Sequence, residues 1–330
     1  MVAFSSISFP VELPVVKRGE HWYGRAGERE LRLSNLDKIY WPDEGYTKGD
    51  LLTYYFNVSP VMLPHLVGRP LTMKRMPDGV TGGFFYEKNA PVHTPEWIET
   101  IPVPSEEGTK TINYVSVGDA ADMLWVANLG CIEFHPLHAR GTDQAHPDYA
   151  FFDLDPFAPA GFEEVKHVAA LVKVVLDRLD LRSYPKTSGA TGMQIMVPLD
   201  RTVAYDMVRG FVGAVSDLVH AADPATTTLE WEISKRTGKV FLDVNMNREG
   251  ANIAAAYSVR PEPGATVSAP FEWDELDAVH PFDFTMATML ERIERTGDPF
   301  LPVAEGPGQD ISPAVEKLGA QPRKARRIGR

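Results

Sequence analysis

Two aspartates at alternate positions of a short apolar segment are the residues of this 330-residue chain best placed to do chemistry. The segment 149–156 reads YAFFDLDP, which predicts a strand with Asp153 and Asp155 on the same face, roughly 6–7 Å apart at the backbone. Two carboxylates held together are costly unless a cation neutralises them, and hard oxygen ligands select Mg²⁺ or Mn²⁺. The pair indicates a metal site. The alternative is that Asp155 only opens the next loop and Asp153 is incidental.

A third aspartate ends another apolar strand, with the sequence KVFLD at 239–243. In a split βαβ module the strands that carry Asp153 and Asp243 tend to lie near each other. Three convergent carboxylates can clamp two cations about 3.5–4 Å apart, the arrangement used for in-line phosphoryl transfer. We therefore expect Asp153, Asp155 and Asp243 to be catalytic ligands of two Mn²⁺ or Mg²⁺ ions.

A glycine-rich loop, KTSGATG at 186–192, joins two predicted strands. It is not a Walker loop, because that motif opens a helix and ends in Gly-Lys-Ser/Thr. Its small residues would let backbone N–H groups approach a phosphate, and Ser188 adds a hydroxyl donor. Two interpretations stay open, a plain hairpin turn and a polyphosphate cradle beside the carboxylates.

The elements that would position these residues occur in the order strand, helix, two strands, helix, strand. This is the split βαβ order of ferredoxin-like modules, whose sheet has one face free for a ligand. The predicted segments are a strand at 149–153, a helix at 162–179, strands at 182–186 and 193–198, a helix at 205–220, and a hairpin of strands 229–234 and 239–244 around Thr237-Gly238.

The flanking regions have weaker patterns. Residues 1–30 are expected to be a loosely structured lead-in. They precede a helix at 47–65, capped by Thr47 and interrupted by Pro60 and Pro64, strands at 70–76, 83–88, 112–117 and 132–135, and a helix at 118–128. The Pro/Gly-rich tail, 301–330, ends in five basic residues and no acid: Arg323, Lys324, Arg326, Arg327 and Arg330. It is either a disordered solubilising tail or an electrostatic arm for phosphates.

A second patch combines cations with aromatic rings. Lys74 and Arg75 lie on one predicted strand, and Phe84, Phe85 and Tyr86 follow the next turn. Neighbouring side chains of a strand point in opposite directions, so one of the two phenylalanines should be exposed, beside cations that pair with phosphates. The alternative is that both pack under a loop.

Composition narrows the class of protein. The 33 Lys and Arg against 45 Asp and Glu give a net charge of −12, which argues against a protein that coats nucleic acid through bulk charge. The single cysteine, Cys131, is expected in the core and excludes an intrachain disulfide and a Cys-rich zinc module. The sequence has neither a long apolar run nor a signal-like N-terminus, so we expect a cytoplasmic protein with no membrane partner.

Ten short motifs occur in a specific order and spacing. They are LDKIYWP at 36–42, TKGD at 47–50, GRP at 68–70, KR at 74–75, FFYEK at 84–88, EFH at 133–135, FDLDP at 152–156, TSG at 187–189, VFLD at 240–243 and YSVRP at 257–261. Together these motifs resemble the polymerase domain of bacterial non-homologous end-joining ligases, in the archaeo-eukaryotic primase superfamily. The resemblance runs from about Leu33 to Phe300.

The resemblance implies an α+β, two-lobed primase-polymerase fold with mixed and antiparallel sheets. It would span 31–300, and the split βαβ (RRM-like) module, at about 149–260, would be its catalytic lobe. The implied activity is template-dependent addition of nucleotides, with ribonucleotides preferred, to a primer 3′-end at gaps or breaks with a 5′-phosphate. The implied partners are DNA, nucleoside triphosphates, a separate ATP-dependent DNA ligase and an end-binding protein.

The family also implies residue roles. The metals would be bound by Asp153, Asp155 and Asp243. The incoming nucleotide would be held by His135, Thr187, Ser188, Gly189, Arg236 and Arg260. The DNA 5′-phosphate would be bound by Lys74 with help from Lys38 and Lys48, and the template would stack on Phe84 and Phe85.

Three positions depart from the family pattern. Gln194 stands where a histidine is usual, Met246 stands where a glutamine is common, and Ala251 lies where a lysine is usual, so that Arg248 is a candidate substitute for that charge. Two other functions therefore stay open: a non-catalytic scaffold that bridges DNA ends and recruits a ligase, and a two-metal nuclease or phosphatase. Nothing resembles the family's ligase or nuclease domains, so we expect a stand-alone polymerase.

Overall fold

The computed structural model describes residues 9–105 and 108–326 and divides into two compact units. Unit 1 comprises Met1–Leu137, Ile253–Ala269 and Phe282–Asp298, and unit 2 comprises His138–Asn252, Pro270–Pro281 and Pro299–Arg330. The last part of the predicted catalytic module, including Arg260, thus belongs to unit 1. Backbone hydrogen bonding explains this difference, because the N–H of Ala255 donates to the carbonyl of Phe134 at 2.9 Å.

Unit 1 has a three-stranded antiparallel sheet near its start, where the sequence predicted a loosely structured lead-in. The strands are β1 (Val15–Arg18), β2 (His21–Ala26) and β3 (Arg29–Leu33), paired in that order. The prediction was wrong because the strands are short and largely exposed; in β3 only Leu31 and Leu33 are buried. Residues 1–8 of the predicted lead-in lie outside the described residues.

The first helix follows a two-stranded ladder of β4 (Ile39–Trp41) and β5 (Tyr46–Thr47). Helix α1 (Lys48–Met62) is capped by Thr47, as predicted: the hydroxyl of Thr47 accepts from the N–H of Asp50 at 3.2 Å, and the Asp50 carboxylate accepts from the N–H of Thr47 at 2.6 Å. Pro60 lies inside the helix without ending it, and a 3₁₀ turn, Leu63–His65, follows.

The second sheet of unit 1 has five strands. They are β6 (Leu71–Arg75), β7 (Phe85–Glu87), β8 (Thr100–Pro104), β9 (Thr111–Val115) and β10 (Cys131–Pro136). The order is β10-β6-β9-β8, with β7 also on β6. Helix α2 (Ala120–Asn128) begins at Asp119, whose carboxylate caps it, and Cys131 is buried as predicted. Helix α5 (Met289–Thr296) comes from the last segment of unit 1.

Unit 2 is built on a five-stranded sheet with two long helices. Its elements are β11 (Tyr149–Pro156), α3 (Phe162–Arg178), β12 (Tyr184–Thr187), β13 (Met193–Pro198), α4 (Tyr205–Ala222), β14 (Thr227–Thr228) and β15 (Val240–Leu242). The sheet order is β12-β13-β11-β15-β14. The first four strands in this order are antiparallel to their neighbours, so the predicted split βαβ arrangement is confirmed.

The hairpin predicted around Thr237-Gly238 does not form. β14 pairs with β15 in parallel, at Thr227↔Val240, and Ile233–Lys235 forms a 3₁₀ turn. Parallel neighbours cannot be joined by a tight turn and need a crossover, which residues 229–239 provide. The apolar pattern was misleading because Ile233 is 69% exposed and contributes nothing to a buried strand face.

The tail contains two short helices, α6 (Leu301–Ala304) and α7 (Ser312–Leu318), so it is not disordered throughout. Lys317 of α7 donates to the carbonyl of Arg178, at the end of α3, at 2.8 Å. Arg327 and Arg330 lie outside the described residues. None of the helices formed by residues 9–105 and 108–326 has the length and apolar character needed to cross a membrane.

Candidate active site

Two neighbouring strands of unit 2 bring the three predicted carboxylates together. β11 carries Asp153 and Asp155 and pairs with β15 at Asp155↔Phe241. Asp243 directly follows β15, and its backbone N–H donates to the carbonyl of Asp153 at 3.0 Å. The predicted adjacency of the two strands is therefore confirmed, and the catalytic role of the three residues stays a prediction.

The carboxylates carry negative charge that the surrounding protein only partly offsets. Burial, followed by the charge of Asp155, raises the pKa of Asp153 well above its ordinary value, and Asp243 adds to this shift. Burial also raises the pKa of Asp243, against the opposing effects of the Asn245 N–H and the charge of Arg236. Such groups are stabilised as carboxylates when a cation lies beside them.

The donor chemistry fits a divalent cation. Asp153, Asp155 and Asp243 offer hard oxygen atoms and an excess of buried negative charge. In the described part of the chain, however, no three His, Cys, Asp or Glu side chains are grouped as a ready metal-binding cluster. Mutual repulsion of like charges accounts for the open arrangement. The three aspartates are therefore candidate ligands and do not form a closed coordination shell.

Gln194, noted above only as a departure from the family pattern, contacts the first carboxylate directly. It lies opposite Asp153 in the β11–β13 pairing, and its Nε2 donates to Asp153 Oδ1 at 3.0 Å. The Lys186 ammonium on β12 donates in turn to Gln194 Oε1. This relay of Lys186, Gln194 and Asp153 holds one oxygen of the carboxylate in place and brings a buried positive charge towards it.

The glycine-rich loop is the tip of the β12–β13 hairpin. The N–H of Ser188 donates to the Gly192 carbonyl at 2.9 Å, and the Ser188 hydroxyl accepts from the N–H groups of Ala190 and Gly192 at 3.1 and 3.0 Å. A Cβ at Gly192 would lie 2.4 Å from the carbonyl oxygen of Leu154 and 3.2 Å from Asp155 Oδ1. The loop therefore packs against the carboxylate strand, and the phosphate-binding roles of Thr187, Ser188 and Gly189 stay predictions.

Arg236 is surrounded by aromatic rings beside β15. Its guanidinium lies 3.5 Å from the centroid of the Phe241 ring and 5.7 Å from that of Trp231, and its Nε donates to the Glu230 carbonyl at 2.9 Å. These contacts attach the crossover segment to the strand that precedes Asp243. Contact of Arg236 with a nucleotide stays a prediction.

The other two positions that depart from the family pattern, Met246 and Ala251, lie after β15. Ala251 is buried, and Arg248 Nη1 lies 3.9 Å from Met246 Sδ. The charge of Arg248 acts to lower the pKa of Asp243, although burial outweighs it. Arg248 thus supplies positive charge near the third aspartate, and its role as a substitute for the lysine that the resemblance implies stays a prediction.

In unit 1 a buried glutamate joins three of the predicted site residues. Glu133 on β10 forms ion pairs with Lys74 and with Arg260 (Nε to Oε2, 3.1 Å), and His135 Nε2 forms a hydrogen bond with its Oε2 at 2.8 Å. Burial opposes its ionisation, but the hydrogen bond with His135 and the charges of Arg260 and Lys74 lower the pKa of Glu133 to about 2. Burial lowers the pKa of His135 despite this partner. The sequence signal for Glu133 was a carboxylate within an apolar strand.

The predicted aromatic patch is exposed. Phe84 and Phe85 are 55% and 46% exposed, so the alternative that both pack under a loop is wrong. The Lys74 ammonium lies 4.9 Å from the Phe84 ring centroid, and the Arg75 guanidinium lies 5.1 Å from that of Phe85. Cations beside open ring faces suit a strand whose bases stack while its phosphates pair.

The two lysines predicted to assist Lys74 lie in different environments. Lys38 is partly exposed, and its ammonium contacts Asp78 Oδ1 at 2.6 Å and the Pro77 carbonyl at 2.8 Å. Lys48 is 3% exposed, and its ammonium donates to Ser34 and Asn128, whose oxygen atoms lie at 2.6 to 3.1 Å. Burial, followed by the charges of Lys38 and Arg75, lowers the pKa of Lys48 to about 8. This geometry favours a structural role for Lys48.

Asn247 was missed by the sequence reasoning altogether. Its side-chain amide donates to the carbonyl of Phe151 at 2.8 Å and accepts from the N–H of Phe151 at 3.0 Å. It thereby fastens the turn after Asp243 to β11. An asparagine in a loop gives no sequence signal for a contact so distant along the chain.

Comparison with known proteins identifies relatives of this chain. The sequence model of the LigD primase-polymerase domain family matches residues 47–300. The multifunctional non-homologous end joining protein LigD of Mycolicibacterium smegmatis is 32% identical over 293 residues, which cover 88% of this chain and 38% of that protein. The LigD repair protein of Mycobacterium tuberculosis is 34% identical over 283 residues, covering 83% of this chain and 37% of that protein. The chain therefore spans well under half the length of these relatives.

A solved structure agrees with the sequence matches. The polymerase domain from Mycobacterium tuberculosis Ligase D in complex with DNA aligns with a TM-score of 0.79 and 32% identity, covering 84% of this chain and 99% of that one. The sequence-based expectation of an α+β primase-polymerase fold is confirmed by this match.

Proposed function

This chain belongs to the LigD primase-polymerase domain family and is a nucleotidyltransferase of that class, and we propose that it extends a primer 3′-end by template-dependent addition of nucleotides during repair of DNA ends by non-homologous end joining. Its substrates would be gaps or breaks that carry a 5′-phosphate, and nucleoside triphosphates with ribonucleotides preferred. DNA is the partner named for the related solved domain.

The observation that carries the proposal is the placement of the aspartates. Asp153 and Asp155 lie on a strand paired with the one that Asp243 follows, in the sheet of unit 2. Mn²⁺ or Mg²⁺ held there would lower the pKa of a bound hydroxyl and stabilise charge on phosphoryl oxygens. Gln194 fixes the orientation of Asp153, and Gly192 lets the loop approach Asp155.

Substrate binding is proposed for residues of both units. In unit 2 the loop residues Thr187, Ser188 and Gly189 would face the triphosphate, with Arg236 adding positive charge. In unit 1 His135 and Arg260 are proposed as nucleotide-binding residues, and Glu133 holds both side chains in position. A buried carboxylate of low pKa keeps these partners oriented without competing for a proton at neutral pH.

Recognition of the DNA end is proposed for the aromatic patch of unit 1. Lys74 would bind the 5′-phosphate, and Lys38 would add a second cation. Lys48 would assist phosphate binding indirectly, by fixing the start of α1. Phe84 and Phe85 are exposed beside Lys74 and Arg75, which supports stacking of the template on their rings.

Further partners follow from the reaction. Extension to the end of a gap leaves a nick, so we propose that an ATP-dependent DNA ligase and an end-binding protein act with this chain. Its work would then take place on the cell's DNA, in the cytoplasm.

Replacing Asp155 tests the proposal. In a gapped, 5′-phosphorylated template with ribo- or deoxynucleotides and Mn²⁺, the wild-type protein should add nucleotides, most readily ribonucleotides. Asp155→Asn should lower incorporation by about a hundredfold or more, because it removes a carboxylate proposed to hold the divalent cation that stabilises charge on the reacting phosphate. Binding of the gapped DNA should persist in the same variant, as measured by fluorescence anisotropy.

Asp180→Asn is the matched control, because this exposed aspartate lies in the same unit between α3 and β12. Wild-type incorporation by Asp155→Asn would refute the assignment of the carboxylates. Binding without extension by the wild-type protein would favour the end-bridging scaffold, and shortening of the primer would favour the nuclease. Equal extension of phosphorylated and unphosphorylated gaps would refute the role of Lys74.

A further inference from the structure

The basic tail is hydrogen-bonded to the rest of unit 2 beside Asp243. The N–H of Arg323 donates to the Asp206 carbonyl at 2.9 Å, and its guanidinium pairs with Asp217 on α4. Further on, the N–H of Arg326 donates to Asn245 Oδ1 at 2.8 Å. Asn245 lies two residues after Asp243 and donates its own N–H to that carboxylate at 2.9 Å. The tail is therefore tied to the same turn that holds Asp243.

Two glycines of α4 make room for this path. A Cβ at Gly210 would lie 2.2 Å from the carbonyl oxygen of Gln321, and one at Gly213 would lie 2.4 Å from Arg323 Nη1. A side chain at Gly210 would displace the backbone of the tail, whereas one at Gly213 would shift the guanidinium of Arg323. The close approach places the extended segment 321–326 along the helix at a defined position.

A cavity of about 300 Å³ lies between the tail and the carboxylate strand. One side is lined by Asp243, Asn245 and Trp231, and the other by Arg323, Lys324 and Arg326. Buried Arg209 also lines it, and its Nε has no hydrogen-bond partner among the described residues.

The tail cations are available to a ligand. Arg323 shares its charge with Asp217, whereas the side chains of Lys324 and Arg326 form no ion pair or hydrogen bond with any residue in 9–105 or 108–326. Both side chains are exposed. Four cations, Arg209 and the three of the tail, thus face a cavity to which Asp217 and Asp243 contribute carboxylates. Asp217 pairs with Arg323, and Asp206 pairs with Arg209, so the charges of Lys324 and Arg326 leave the cavity suited to an anion, with an aromatic wall at Trp231.

We propose that this cavity binds the phosphate backbone of a nucleic-acid strand, the strand whose 3′-end is presented to the carboxylates. The inference rests on the proposed function. A polyanion that approaches Asp153, Asp155 and Asp243 is repelled by them, and cations spaced along an extended segment offset that repulsion phosphate by phosphate. The segment lies outside residues 47–300, which the family model matches, whereas Arg209, Trp231 and Asp243 lie within them.

The test is a salt series of DNA binding. A fluorescent primer–template is titrated with the full chain by anisotropy between 50 and 200 mM salt, with wild type and the double variant Lys324→Gln/Arg326→Gln. We expect weaker binding and a slope of log K against log salt that is shallower by about one for each cation removed. The charge-reversed pair Lys324→Glu/Arg326→Glu should weaken binding further.

The control variant Arg178→Gln/Arg295→Gln removes the same two charges from exposed positions on α3 and α5 and should bind as the wild type does. Wild-type affinity and slope in the tail variant would overturn the inference. So would a raised KM for the nucleotide with unchanged DNA affinity, because the cavity would then take the triphosphate. Absence of extension by the wild-type protein would instead count against the proposed function, which this binding assay does not measure.

Discussion

Gln194 connects the buried charge of Lys186 to the candidate metal ligand Asp153. Where the resemblance implies a histidine, this chain has an amide that can donate to the carboxylate and accept from the ammonium at the same time. A neutral histidine ring also has one donor and one acceptor. The substitution therefore preserves the hydrogen-bonding pattern while changing its length and shape, which explains how the position can differ without loss of the site.

Gln194→Ala should weaken metal binding, because the hydrogen bond that orients Asp153 is lost. Partners that orient a metal ligand typically contribute about 10–100-fold in metal affinity or activity. We expect the Mn²⁺ concentration for half-maximal incorporation to rise by about that factor. The stabilisation that Mn²⁺ gives the folded protein in a thermal melt should fall in parallel.

Gln194→His restores a donor and an acceptor and should recover most of the loss. If Gln194→Ala had the Mn²⁺ midpoint of the wild type in both measurements, the orienting role of Gln194 would be ruled out. A lower melting temperature without Mn²⁺ would mean that the amide supports the fold instead of the site.

In unit 1, Glu133 likewise orients residues of the candidate site through its side-chain contacts. Its carboxylate contacts three donor groups: the ammonium of Lys74, the imidazole of His135 and the guanidinium of Arg260. The residues that the family resemblance assigns to two different ligands, a nucleotide and a DNA 5′-phosphate, are therefore coupled through a single side chain. A change at Glu133 would disturb both.

Among the elements, α1 is positioned by the buried ammonium of Lys48. Lys48→Met leaves the oxygen atoms of Ser34 and Asn128 without their donor, and each unpaired buried group costs about 1–3 kcal/mol. We expect a lower melting temperature and a reduced free energy of unfolding in urea at pH 7. Lys38→Met, which removes an exposed ion pair, should change the stability by less than about 1 kcal/mol.

The pH dependence of this difference has a defined sign. The pKa of Lys48 is lowered to about 8 from its ordinary 10.5, so the unfolded chain binds more protons between these values. The wild-type protein therefore gains stability relative to Lys48→Met as the pH rises from about 8 to 10.5, and the penalty is fully present below 8. A Lys48→Met variant as stable as the wild type, but unable to discriminate a 5′-phosphate, would show that Lys48 contacts the DNA directly.

The sequence predicted a helix or strand correctly where a single local pattern, such as a helix cap or an apolar run, marked it clearly. Helix α1 began at the Thr47 cap as predicted, and β11 contained both aspartates. The hairpin predicted at 229–244 was wrong because Ile233 is exposed in a crossover where Leu229 and Trp231 are only partly buried. The strands β1 to β3 were not predicted because short strands with few buried side chains show little periodicity. The contacts of Glu133 and Asn247 depend on pairings distant in sequence, which no local pattern encodes.

For the whole molecule, the net charge of −12 limits how the chain can hold a polyanion. Some of that acid is concentrated at Asp153, Asp155 and Asp243, where a cation would cancel it. The cations proposed to meet DNA phosphates are few. Apart from Arg209, which is buried and paired with Asp206, they are in the described residues Lys38, Lys74, Arg323, Lys324 and Arg326. Binding should therefore be local to an end or gap, because lengthening the duplex adds phosphates but no cations that can reach them.

The small number of cations predicts the salt dependence of DNA binding, which can be measured. Each phosphate neutralised contributes about 0.7–0.9 to the slope of log K against log salt, so about five contacts predict a slope near −4 for gapped DNA. Anisotropy titrations with gapped duplexes of two lengths should give the same slope and the same affinity per molecule. A slope that steepens with duplex length, or one near zero, would contradict binding through a few local cations, since the first indicates coating of the duplex and the second indicates contacts that release no counterions.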